Sequence, residues 1–220
     1  ATGRGLMRAL AAAGGGCNVT VPHKAIAAEA VTRLDGPAHG ACNTFWGEEG
    51  RLVGDNTDVQ GILAALDAMH APADGWLVLG TGGSAQAVLA AARERGAAVA
   101  VRSRTPDRAE AFLAEADAMG VARAEPGACG VVVNATPLGL QAGDRLPVAP
   151  AEVPGARFAL DLVYGPGGTR WIQAMQEAGV RGVDGREVLV AQGAAALKRW
   201  FPRVSPPLEI MRAAVRHALG

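Results

Sequence analysis

Between residues 76 and 85 the chain runs from Trp76-Leu77-Val78-Leu79 straight into Gly80-Thr81-Gly82-Gly83-Ser84-Ala85. Four apolar residues without polar alternation describe a strand buried on both faces, as in a parallel sheet covered by helices. A helix is predicted over 85–95 and a second strand over Ala97–Val101, so the glycine turn sits inside a strand–helix–strand unit. That context turns a short glycine pattern into a dinucleotide fingerprint. Gly80 permits the tight turn, and Gly82 lets a pyrophosphate approach the backbone. Small Ala85, where a third glycine often stands, lets helix and strand pack closely. Thr81, Gly83 and Ser84 complete a loop whose helix N-terminus favours an anion through its unpaired N–H groups and its dipole.

The end of the second strand separates the two nicotinamide cofactors. An NAD site of this kind places Asp or Glu there for the ribose hydroxyls. This chain has Arg102-Ser103-Arg104-Thr105 and no carboxylate before Asp107. Two guanidinium groups and two hydroxyls suit a 2′-phosphate, which an acid would repel. The expected cofactor is therefore NADP, held by Ser103, Arg104 and Thr105 together with the glycine turn.

Further units follow in the same rhythm: a helix over Arg108–Met119, a strand over Gly130–Val133, a strand over Phe158–Val163, a helix over Thr169–Ala178 and a short strand over Val180–Val183. Alternation of this kind predicts an α/β fold with a doubly wound parallel sheet of the Rossmann type. Upstream, a helix over 4–13 ends at Gly14-Gly15-Gly16, and Cys17–Val21 reads as a strand. Pro22 is expected to open a helix over Lys24–Leu34 that Asp35-Gly36-Pro37 closes. Cys42–Trp46 and Arg51–Val53 form a hairpin around Gly47–Gly50, and the polar turn Asp55–Asp58 leads into a helix carrying Ile62, Leu63, Leu66 and Met69 on one face. Helices over 186–201 and 208–219 close the chain. The expected division is a substrate half over 1–66, a cofactor half over 67–184, and C-terminal helices over 185–220 that return to the substrate half.

Composition narrows the class. Of 220 residues, 21 are Lys or Arg and 21 are Asp or Glu, so no net charge draws the chain to nucleic acid or an anionic membrane. No apolar run is long enough to span a bilayer. Three scattered cysteines with no CxxC argue against a disulfide framework or a metal site and point to a reducing cytoplasm. The Asp55-Asn56-Thr57-Asp58 turn lacks the glycine and distal glutamate of a calcium loop.

The upstream segment carries polar groups that a bare cofactor domain does not need. Asn18-Val19-Thr20-Val21-Pro22-His23-Lys24 places Lys24 in the first turn of a helix, where the dipole disfavours a positive charge and a proton-transferring group is well served. Asp58 is the expected charge partner of Lys24 and acceptor for a substrate hydroxyl, and Asn43-Thr44 adds hydrogen-bonding groups nearby.

At these residues the sequence resembles the shikimate dehydrogenase family. The motifs that carry the likeness are Asn18–Lys24, Gly40-Ala41-Cys42-Asn43-Thr44, Gly54-Asp55-Asn56-Thr57-Asp58 and the glycine turn. Ser103-Arg104-Thr105, Asn134-Ala135-Thr136, Asp161-Leu162-Val163-Tyr164, Asp184-Gly185 and Gln192-Gly193-Ala194 follow in the family's order. The resemblance implies NADPH-dependent reduction of 3-dehydroshikimate to shikimate, a step in aromatic amino-acid biosynthesis. It implies Lys24 as general acid/base, Asp58 as its partner and hydroxyl ligand, and Thr20, Asn43, Tyr164 and Gln192 as further substrate contacts. Backbone at Leu162 and Gly185 would border the nicotinamide. The expected partner is a small molecule, with a homodimer left open. Ser103 stands where the family has Asn, Cys42 where it commonly has Val, and Val188 where it has Met. The family also places a strand, a helix and a strand, with a carboxylate-binding Ser-x-Ser segment, ahead of the motifs found here. The reading therefore expects a substrate half shortened at its N-terminus, with a quinate-using paralogue or a non-catalytic NADP module as alternatives.

Overall fold

The computed structural model describes residues 2–36 and 40–219; Pro37, expected to help close a helix, lies outside them. The chain opens with α1 (Thr2–Ala12), β1 (Gly16–Asn18), α2 (Lys24–Ala30), β2 (Arg33–Asp35), β3 (Thr44–Glu48), β4 (Arg51–Asp55) and α3 (Asp58–Ala68). The four strands form one sheet in the order β1-β3-β4-β2. Strand β3 runs antiparallel to both β1 and β4, whereas β2 runs parallel to β4.

Three upstream expectations are corrected. The helix expected over Lys24–Leu34 stops at Ala30, and Arg33–Asp35 is a strand. Val31 is already extended, and the Thr32 N–H donates to the Leu52 carbonyl at 2.7 Å. The open edge of β4 thus offers β-branched Val31-Thr32 a ladder that outweighs continuation of the helix. Pro22 does not open the helix either, because His23 is the N-cap and the turn before it is closed by the His23 N–H on the Thr20 carbonyl. Strand β1 consequently ends at Asn18 and not at Val21. The hairpin is present, but its strands reach Glu48↔Arg51, which leaves a two-residue turn.

The second half comprises β5 (Trp76–Leu79), α4 (Gly83–Arg95), β6 (Val99–Arg102), α5 (Pro106–Ala118), β7 (Val131–Asn134), β8 (Phe158–Asp161), α6 (Arg170–Glu177) and β9 (Arg181–Val183). Its five strands lie in the order β6-β5-β7-β8-β9, all pairs parallel. All four residues of β5 are buried, as a strand covered on both faces requires. Trp76, Val78, Val131, Val133 and Leu160 meet α3, α4 and α5 on one face, while Leu77, Leu79, Val132 and Ala159 meet Trp171, Ile172 and Met175 of α6 on the other. Strand order reverses between β5 and β7, and ligands of such sheets bind outside the carboxyl ends of the strands at that point. Helices α7 (Arg186–Trp200) and α8 (Leu208–Leu219) follow, with α7 packed along α3.

Candidate active site

A cleft of about 670 Å³ opens at the reversal between β5 and β7. From the first sheet and its loops it is lined by Thr20, Lys24, Asn43 and Asp58; from the second by Gly82, Gly83, Ser84, Leu162 and Tyr164; and from α7 and its cap by Gly185 and Gln192. Eleven of the residues singled out in the sequence thus face one space. A second cavity of about 440 Å³, between α6, α7 and α8, contains none of them.

Each side chain is placed by an element end. Lys24 is the first residue of α2 and only 9% exposed. Its ammonium meets Asp58 Oδ2 at 2.5 Å, and Asp58 opens α3, where a carboxylate is favoured by the dipole. Asn43 Nδ2 donates to Asp58 Oδ1 at 2.8 Å, while Asn43 Oδ1 accepts from the Thr57 N–H and hydroxyl at 2.8 and 3.1 Å. The Asn43 amide therefore orients Asp58. Its nitrogen also lies 3.5 Å from Gln192 Oε1, which links α7 to the same cluster. An ammonium has three N–H donors, so Lys24 keeps two beyond the one given to Asp58.

The opposite wall is the glycine turn. Gly80 has φ +102°, and a Cβ there would lie 3.0 Å from Thr136, so both backbone and space demand glycine. The region over Gly82 is open, and Gly82 caps α4 without any side-chain hydrogen bond. The first N–H groups of that helix are thus left for a ligand. A Cβ on Gly83 would sit 3.7 Å from Cβ of Lys24, which sets the phosphate turn directly beside the lysine. Thr81 lies in the turn without lining the cleft.

Ser103, Arg104 and Thr105 stand beyond the cleft, after β6. The two arginines separate here. Arg102 Nη1 pairs with Glu152 Oε1 at 3.0 Å, whereas Arg104 is exposed and has no carboxylate partner among the described residues. The Ser103 hydroxyl accepts from the Thr105 N–H at 3.3 Å, which shapes the turn around Arg104. An open glycine turn and an unpaired guanidinium fit a phosphorylated dinucleotide.

Other cleft residues carry no role expected from sequence. Asn18, Thr136 and Leu140 also line it. Asn18 and Thr136 stood within motifs already noticed, at strand ends, where polar residues carry function in such sheets. Leu140 had no signal of its own.

A phosphate turn at the crossover, facing a part-buried lysine–carboxylate pair across the cleft, fits an oxidoreductase that uses a nicotinamide dinucleotide. The family model for the Shikimate 5′-dehydrogenase C-terminal domain matches residues 185–216. The NADP(+) shikimate dehydrogenase of Methylocella silvestris is 40% identical over 228 residues, covering 93% of this chain and 79% of the relative. That of Oleidesulfovibrio alaskensis is 42% identical over 202 residues, covering 87% and 72%. The crystal structure of shikimate 5-dehydrogenase from Thermus thermophilus in complex with NADP(H) and shikimate superposes with a TM-score of 0.87 at 36% identity, covering 98% of this chain and 84% of that one. The chain belongs to the shikimate dehydrogenase family.

Proposed function

We propose that the chain catalyses the reversible, NADPH-dependent reduction of 3-dehydroshikimate to shikimate in aromatic amino-acid biosynthesis. The observation that carries this reading is the Lys24–Asp58 pair, closed at 2.5 Å in a cleft that also reaches the glycine turn. Residues 1–66 and 185–220 serve the substrate, and 67–184 serve the cofactor. The glycine turn and Ser103-Arg104-Thr105 would hold NADPH, which when bound would supply the hydride.

The protein's part is orientation and proton transfer. Lys24 gives a proton to the carbonyl oxygen as it becomes a hydroxyl, and takes it back in the reverse direction. Asp58 holds Lys24 and accepts from the neighbouring substrate hydroxyl, while Asn43 fixes the angle of that carboxylate. Thr20, Tyr164 and Gln192 supply the remaining polar contacts, and Leu162 and Gly185 border the nicotinamide. Three free thiols support placement in the reducing cytoplasm, and no helix among the described residues is long and apolar enough to cross a membrane.

The test is NADP+ reduction by the purified chain with shikimate, with quinate and without substrate. Shikimate-dependent turnover is expected, with Lys24→Ala lowering kcat by about a hundredfold to ten-thousandfold while NADP binding persists. Turnover of quinate alone, or NADP binding without turnover, would overturn the reading.

A further inference from the structure

The last residue of β8, Asp161, is fully buried and, among the described residues, takes three hydrogen bonds, none from a cation. Asn134 Nδ2 and the Val163 N–H donate to Oδ1 at 2.8 and 3.0 Å, and the Thr169 hydroxyl donates to Oδ2 at 2.7 Å. These donors belong to three different segments: the end of β7, the stretch after β8, and the N-cap of α6.

The order then spreads outward. Asn134 Oδ1 accepts from the Thr136 N–H and hydroxyl at 3.0 and 2.6 Å, and its Nδ2 also reaches the Leu138 carbonyl at 3.1 Å. The Val163 carbonyl accepts from the Gly185 N–H at 3.0 Å, and a Cβ on Gly185 would lie 2.6 Å from the Leu162 carbonyl oxygen. Thr136, Leu162, Tyr164 and Gly185 all line the cleft. One carboxylate thus ties together the part of the wall formed by Thr136, Leu162, Tyr164 and Gly185.

We propose that Asp161 is a positioning residue for the cofactor, setting through Asn134, Val163 and Thr169 the wall against which the nicotinamide rests. This rests on the reading that Leu162 and Gly185 border that ring. Burial, with a smaller push from Asp184, raises the Asp161 carboxyl to about 6 against the pull of its three hydrogen bonds. The groups facing it are neutral Asn134 from β7, neutral Thr169 from the cap of α6, and Asp184 after β9, which is paired at 2.8 Å with Arg186 of α7. In either protonation state Oδ1 can accept from Asn134 and Val163 and Oδ2 can bond the Thr169 hydroxyl, so the wall is set by these partners and not by pH.

The experiment is NADPH affinity by fluorescence titration, with kcat and KM for shikimate oxidation measured in parallel. Asp161→Ala should weaken NADPH binding about three- to tenfold, the scale of one lost hydrogen bond. Thr169→Val should raise the NADPH dissociation constant, whereas Thr169→Ser should keep it at the wild-type value. Asp161→Ala with wild-type affinity overturns the proposal. Should that variant not fold, equal affinity in Thr169→Val and Thr169→Ser overturns it. If the variants shift NADPH affinity in this order but wild type does not turn over shikimate, the functional reading fails and the positioning role stands.

Discussion

A guanidinium already bonded to a carboxylate is a poor phosphate ligand, since the incoming anion must displace its partner. Arg102 is in that position with Glu152, and Glu152 is itself held by the Ala149 N–H at 2.9 Å. Arg104, two residues on, has no such competitor among the described residues. Removing a charge-assisted hydrogen bond to phosphate costs about 1.5–3 kcal/mol, or roughly tenfold to a hundredfold in affinity. Arg104→Ala should therefore raise KM for NADP by that factor and leave KM for NAD nearly unchanged. Arg102→Ala should change either value by no more than about threefold, because an exposed ion pair contributes little. Steady-state kinetics with both cofactors decides it, and equal losses for NADP and NAD in Arg104→Ala would sink the 2′-phosphate assignment.

Among the elements, α7 bears on both the site and the sheet behind it. Its Val188, Leu189 and Gln192 line the cleft, and its last turn returns to the end of β4, where Arg199 Nε meets Asp55 Oδ2 at 2.8 Å. Asp55 is fully buried; burial pushes its carboxyl up, and Arg199 and the Asn56 N–H pull it back down. Arg199→Ala leaves that charge without a cation. For a fully buried pair the loss is about 3–5 kcal/mol. The Arg199 side chain is 41% exposed, so about 2 kcal/mol is expected here after allowance for solvent screening. The sign follows from the direction of the shift. A carboxyl raised in the folded state favours folding when protonated, so the defect should be largest at neutral pH and shrink on acidification. Urea melts of wild type and variant at two pH values test this, and a defect that grows in acid would contradict it.

At the scale of the whole molecule, α3 joins the two sheets. It begins at Asp58, in the turn that leaves β4, and buries Val59, Ile62, Ala65 and Leu66 in the same core as Trp76, Val78 and Val88 of the second half. Loosening one half strips apolar cover from the other, so the chain should unfold in a single transition. NADP at about a hundredfold its dissociation constant adds about 2.7 kcal/mol, which for a chain of this size moves Tm by about 5–10 °C. Calorimetry should show one peak moving as a whole; two peaks of which only one shifts would mean that α3 does not couple the halves. The features legible in the sequence were short-range ones. The strand Trp76–Leu79 and its glycine turn, the basic end of β6, and Lys24 and Asp58 as chemical candidates all stand in motifs of a few residues, because backbone conformation and strand-end chemistry are set locally. Strand β2 was not legible, since Val31-Thr32 is extended only because the edge of β4 pairs with it. Nor could the sequence tell which arginine stays free, because Glu152 lies 50 positions from Arg102. The Lys24–Asp58 contact bridges 34 positions and the Asn43–Gln192 approach 149. By itself, then, the sequence determined the cofactor turn and its phosphate preference, and singled out Lys24 and Asp58 as candidates. The tertiary structure decided who pairs with whom, because a hydrogen bond or ion pair between distant residues exists only once sheet order and helix packing have brought them within about 3 Å.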